Sequence, residues 1–183
     1  MGYWIAGGVL AVIIIWIIAS YNGFVKLKNS IEEAFSTMDV YLKKRYDLIP
    51  NLVETVKGYA KHEKETLESV IQARNIAVGA KSVEDKLAAD NMLTGTLKSL
   101  FAVAESYPDL KANINFMDLQ EQLQEIEDEI ANSRKYYNAV VKTYNTRREV
   151  FPSVIIAKLF KFDKKPLFEV SSDEQRENVQ VKF

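Results

Sequence analysis

The chain has 183 residues, a length that suits one domain with an appendage. Its 24 basic and 25 acidic residues leave a net charge of -1, which gives no general reason to expect nucleic acid as a partner. It has no cysteine and a single histidine, His62, which excludes disulfides, thiol catalysis, cysteine zinc sites and a lipidated cysteine, and removes most histidine-based metal sites.

Met1 to Val25 carries no charged side chain, and Val9 to Ile18 is almost wholly aliphatic. About 20 apolar residues span a bilayer as a helix, so residues 1–25 read as a transmembrane helix. Tyr3 and Trp4 at one end and Tyr21 at the other suit the interface, while Trp16 lies deeper than that belt. A cleaved signal peptide would need a basic leading region, which is missing, and a buried core helix does not suit so long an uncharged stretch. The nearest basic residues, Lys26 and Lys28, lie on the C-terminal flank, which places that side in the cytoplasm. Gly7 with Ala11 and Gly2 with Ala6 have the small-xxx-small spacing that can pair membrane helices, although small residues are common in such helices in any case.

No proline interrupts Ile18 to Tyr46, so the membrane helix is expected to continue into the first of the soluble helices. Ile31, Phe35, Met38 and Leu42 keep a 4-3-4 rhythm. Lys43, Lys44 and Arg45 then suit a helix C-terminus, Asp47 suits an N-cap, and Pro50 suits a first turn. Asp47, Leu48, Ile49, Pro50 and Asn51 are therefore read as a helix-turn signature, and a second helix is expected from Leu48 to Val78 with Gly79 as its C-cap. Ser82 and Asp85 form a capping box ahead of a third helix carrying Leu93, Leu97, Leu100, Ala104 and Tyr107, which Pro108 stops. Residues 108–114 are expected as loop.

A fourth, longest helix carries Phe116, Leu119, Leu123, Ile126, Ile130, Tyr137, Val140 and Tyr144, with Ser133 the one break in its seam, and Pro152 ends it. The expected fold is all-α: a transmembrane helix (1–25) continuous with an antiparallel up-down-up-down four-helix bundle (26–151), then an amphipathic segment and polar tail (152–183), with a short strand-like piece at Leu167–Val170. Helix one extends about 30 Å past the membrane if it ends at Tyr46, and the fourth helix is longer by roughly 20 Å, so an upright bundle would press the following segment into headgroups. In that segment Ile155, Ile156, Leu159 and Phe160, with Lys158 and Lys161, are candidate membrane contacts. Capping of the bundle core, or packing on a neighbouring subunit, is the competing use of the same residues.

Catalytic patterns are lacking. His62 to Thr66 begins like a zinc-protease helix, but residue 66 is threonine, and no GxSxG, Walker loop or GxGxxG occurs. Glu121, Glu125, Glu127, Asp128 and Glu129 have no Glu-x-x-His partner and read as a solvated face. No catalytic, cofactor-binding or metal residue is assigned, and no cofactor is expected.

The stretch DVYLKKRYDLIPNLVETVKGYAKHE (39–63) closely resembles the LemA family of bacterial membrane proteins. YPDLKAN at Tyr107–Asn113, YN-x-x-V at Tyr137–Val141, YN-x-R at Tyr144–Arg147 and FP-x-x-I-I-A from Phe151 agree, so the resemblance runs from about Tyr21 to Val170. Phe24 and Phe35 depart from it, standing where an aliphatic residue and a tryptophan are commoner. The resemblance implies a single-pass membrane protein with a helical domain, neighbours among membrane proteases, a branch in magnetosome membrane formation, and no catalytic residues to carry over. The leading functional expectation is a non-enzymatic, self-assembling scaffold that organises or shapes the bacterial inner membrane. Its partners would be the lipid bilayer and further copies of itself. The alternative is an adaptor or partner of a membrane protease.

Overall fold

The computed structural model describes residues 1–168, and every regular element among them is a helix. In chain order these are α1 (Gly2–Tyr59), α2 (Lys64–Gly79), α3 (Val83–Ala104), α4 (Pro108–Lys111), α5 (Ile114–Glu149) and α6 (Ser153–Leu159). They fall into two compact units: unit one holds Met1–Thr37 and Ser133–Leu167, and unit two holds Met38–Asn132 with Phe168. The all-helical class and the unbroken passage from apolar span to following helix are as the sequence suggests.

The expected turn at Asp47–Asn51 does not form. α1 runs through it with Pro50 in its interior, and the helix ends at Tyr59, after which Ala60–Glu63 lead to α2. The first part of the expected second helix therefore belongs to α1. Two physical causes explain the difference. The buried seam Met38, Leu42, Arg45, Ile49, Leu52 and Val56 never changes phase across the stretch, so a single helix buries it all. An interior proline removes its own N–H and strands the carbonyl four residues back, here that of Tyr46. Arg74 from α2 supplies the missing donor, its Nε lying 3.1 Å from the Tyr46 carbonyl oxygen. Of the signature residues, Ile49 is buried, Leu48 and Pro50 are half-buried, and Asp47 and Asn51 are exposed.

Elsewhere in unit two, the helix-start signals hold, whereas Gly79, expected as a C-cap, is the last residue of α2 and Ala80 caps it. Ser82 caps α3 by accepting from the Asp85 amide at 3.0 Å. Pro108 follows the end of α3 and opens the short α4, with its missing N–H at a position where no partner is needed. The segment expected as loop is thus partly helical. The Asn113 side chain accepts from the Phe116 amide at 3.0 Å, starting α5, and donates to the Tyr59 hydroxyl at 2.8 Å. Leu67, Val70, Leu93, Leu97, Leu100, Leu110 and Phe116 fill the core between these elements.

Unit one has a different construction. Every residue from Met1 to Ile15 is exposed, and burial begins at Trp16, Ile17 and Ser20. The 162–166 stretch is fastened along α5 by side chains of the YN-x-R neighbourhood. Tyr144 donates to the Asp163 carbonyl (3.0 Å), Asn145 both donates to the Lys165 carbonyl (2.8 Å) and accepts from its amide (3.0 Å), and Arg148 donates to the Phe162 carbonyl (2.9 Å). Tyr137 donates to the Pro166 carbonyl at 3.1 Å. Leu167 and Phe168 are not strand, and the rest of the strand-like piece and the polar tail lie outside the described residues.

Candidate functional site

The site begins where α1 stops being bare. Tyr21, Phe24, Tyr144, Phe160 and Phe162 interlock: Tyr21 lies 4.8 Å from Phe160 and 5.7 Å from Phe162, Phe24 stacks on Phe162 at 4.7 Å, and Tyr144 meets Phe24 edge-on at 6.0 Å. The fully buried Phe24, one of the two departures from the family pattern, is the ring that joins the two sides. Phe35, the other, meets Tyr137 at 6.1 Å.

Phe162 reaches the cluster because α6 ends in a left-handed residue. Lys161 has φ 53°, the Phe162 amide bonds back to Ala157 at 2.9 Å, and the Lys161 amide bonds to Lys158 at 3.4 Å. That double closure is the Schellman motif, usually built with glycine. Among the candidate membrane contacts, Ile155, Leu159 and Phe160 are exposed at 51%, 66% and 45%, and Lys158 and Lys161 are exposed beside them. Ile156 is a correction: at 1% exposure it packs inward with Ala157, as an i+1 neighbour on a helix must when Ile155 and Leu159 share the outer face. Phe151, exposed at 80%, extends that outer face.

A second constellation sits inside unit two. Arg45 and Asp90 are both fully buried, with Arg45 Nη1 2.7 Å from Asp90 Oδ1. Arg45 Nη2 donates to Thr94 Oγ1 at 2.8 Å, and Nε lies 2.8 Å from Glu127 Oε1. Arg45 is thus not a solvated helix-end cation, and Glu127 leaves the solvated acidic face it was assigned to. Burial pushes the Glu127 carboxyl above the usual range, Arg45 opposes that shift, and Asp128 adds to it. The sequence does carry the signal: Asp90, Leu93, Leu97 and Leu100 share one 3-4-3 seam, and a charge in a seam needs a partner. A buried charge cluster of this kind ties α1, α3 and α5 to one register. Also in unit two, a groove of about 1270 Å³ runs between α1 and α2, floored by Val53, Leu67 and Ile71 and rimmed by Lys57, Lys61 and Glu68.

These features define an all-helical protein whose α1 contains a span long and apolar enough to cross a bilayer. The LemA family model matches residues 34–183, and the chain belongs to the LemA family. It is 26% identical to Protein LemA of Metamycoplasma hominis, over 84% of this chain and 71% of that one. It is 26% identical to Magnetosome protein MamQ 2 of Paramagnetospirillum magneticum, over 81% of this chain and 64% of that protein. It is 23% identical to Magnetosome protein MamQ of Magnetospirillum gryphiswaldense, over 87% of this chain and 68% of that protein.

Proposed function

We propose that this chain is a non-enzymatic, single-pass membrane scaffold that self-assembles and organises or shapes the bacterial inner membrane, with α6 as a second, interfacial contact. The carrying observation is that the uncharged stretch outlasts the bare helix: Ile15 is the last residue of the fully exposed run, whereas the first charged side chain is Lys26. A full span therefore draws in Trp16–Tyr21, the part against which Phe160 packs. Ile155, Leu159 and Phe160 then meet the acyl-headgroup boundary, with Lys158 and Lys161 toward anionic lipid. An apolar wedge in one leaflet next to a spanning helix is a means of bending a membrane. The similarity to proteins named for the magnetosome supports a membrane role.

The same reading makes unit two an antiparallel up-down-up-down bundle. Its support is the order of partners: Asp39 with Lys86 and Arg45 with Asp90 ascend together, while Arg45 with Glu127 and Tyr59 with Asn113 run opposite ways. Orientation rests on Lys26 and Lys28, which place the C-terminal side in the cytoplasm. The second reading, an adaptor for a membrane protease, is favoured by the α1–α2 groove, which offers a partner an apolar floor. Light-scattering mass of the full-length protein in detergent separates them: a large homo-oligomer is expected, and a monomer at all concentrations would favour the adaptor.

A further inference from the structure

We infer that unit one holds a site for the phosphate of an anionic phospholipid headgroup, built from Arg147, Gly23 and Lys26; it rests on the membrane-anchored reading above. Arg147 lies in the last turn of α5, and its guanidinium fills the space that any side chain at position 23 would occupy. Its Cζ lies over the Phe24 ring, 5.4 Å from the centroid. That contact leaves the planar N–H donors unused: among the described residues the guanidinium has neither a carboxylate nor a carbonyl partner. Its neighbour Arg148, by contrast, is committed to the Phe162 carbonyl. Lys26 is exposed, one turn along α1 from Gly23 on the same side, and makes no ion pair among the described residues.

The depth of the pair selects the ligand. Gly23 stands at the close of the uncharged stretch, three residues before its first cation, Lys26, where a hydrocarbon core gives way to a headgroup layer of about 5–7 Å. At that depth the abundant anion is the lipid phosphate. A half-buried guanidinium held flat against a helix offers two parallel N–H donors to such an oxyanion, and a lysine adds charge without direction. Gly23 matters because it lets the guanidinium lie against the helix backbone, and Phe24 because its ring face attracts the cation to that place. The exposed lysines of α6 differ in kind, since they can draw an anionic surface closer but impose no geometry on a single headgroup.

The test uses the full-length protein in neutral detergent, titrated with dioctanoyl phosphatidylglycerol, dioctanoyl phosphatidylcholine or inorganic phosphate, and reads the thermal midpoint. Phosphatidylglycerol is expected to raise the midpoint saturably, phosphatidylcholine, whose choline offsets the charge of the same phosphate, to raise it less, and inorganic phosphate to leave it in place. Arg147→Gln is expected to weaken the apparent affinity about tenfold. Gly23→Ala displaces only the flexible end of Arg147 and should lose a similar amount, and Arg147→Lys should recover part of it. Flotation with phosphatidylcholine vesicles checks the underlying reading separately, since all variants should float. Failure of the parent protein to float sinks the anchored reading. Floating variants that bind phosphatidylglycerol as tightly as the parent overturn the site, and so does an equal response to inorganic phosphate. If Arg147→Gln does not fold, Gly23→Ala and Arg147→Lys carry the same comparison.

Discussion

Removing the Arg74 guanidinium should cost stability only while Pro50 is present. In the parent protein the Tyr46 carbonyl has lost its helical donor to Pro50 and takes one from Arg74 Nε at 3.1 Å. Tyr46 is 6% exposed, so its carbonyl is poorly placed to turn to water. A hydrogen bond from a charged donor contributes about 1.5–3 kcal/mol, and the half-exposed arginine lowers that to about 1–2 kcal/mol for Arg74→Met. Pro50→Ala restores the amide donor and relieves an interior proline, whose full cost of about 3 kcal/mol is the upper bound on the gain. In that background Arg74→Met should cost less than about 0.5 kcal/mol, because the carbonyl is already satisfied; the coupling is then about 1 kcal/mol, beyond the error of additivity. The assay is urea denaturation of the detergent-solubilised protein followed by circular dichroism at the helical band. Both tryptophans, Trp4 and Trp16, lie in the apolar span, so their fluorescence does not report on α1 and α2. Additive single and double changes would refute the compensation. So would a change of oligomer size in Pro50→Ala, which would mean that the proline marks a turn after all.

Arg45→Met should destabilise unit two by about 3–5 kcal/mol because Asp90 is left buried and charged, and adding Asp90→Leu should recover most of the loss in a thermal melt. Glu127 is held protonated more readily in the native state than in the unfolded chain, so its contribution is full below the ordinary glutamate range and is lost as pH rises through the raised native value; Glu127→Gln should flatten that decline in midpoint against pH. Ile155→Asp with Leu159→Asp should reduce deformation of anionic vesicles by the reconstituted protein while leaving its melting unchanged, whereas Ile156→Asp should lower the melting midpoint through its buried position. A phosphatase fused after Phe183 should be inactive in a cell, and strong activity would reverse the orientation.

The long helices were legible because each buries one stripe, and a stripe shows in the spacing of apolar residues whatever it packs against. The caps at Ser82 and the stop near Pro108 were legible for the same reason: both are local chemistry. Pro50 misled because its penalty is local but its relief is not. Arg74 lies 28 positions away and carries no mark that it faces a carbonyl. The phase of the seam already carries the answer. Ile31, Phe35, Met38, Leu42, Arg45, Ile49, Leu52 and Val56 keep 4-3 steps throughout, so the stop signals at 47–50 contradict the seam and the seam prevails.

Accepting that seam has a second consequence. It puts Arg45 in the core, where a cation requires a carboxylate, and the one acid on the seam of α3 is Asp90. Reading Arg45 as an exposed helix-end charge and Pro50 as a turn are therefore one error, since each supports the other. The Arg147 notch had no such route. Gly23 carries no mark of its own in the sequence, and its role depends on a residue 124 positions later, Arg147, whose guanidinium lies against it. Sequence periodicity reports which face of a helix is buried; it does not report which side chain on a second helix stops just short of a partner. A guanidinium left in that state next to the end of an apolar span is where a lipid contact should be sought.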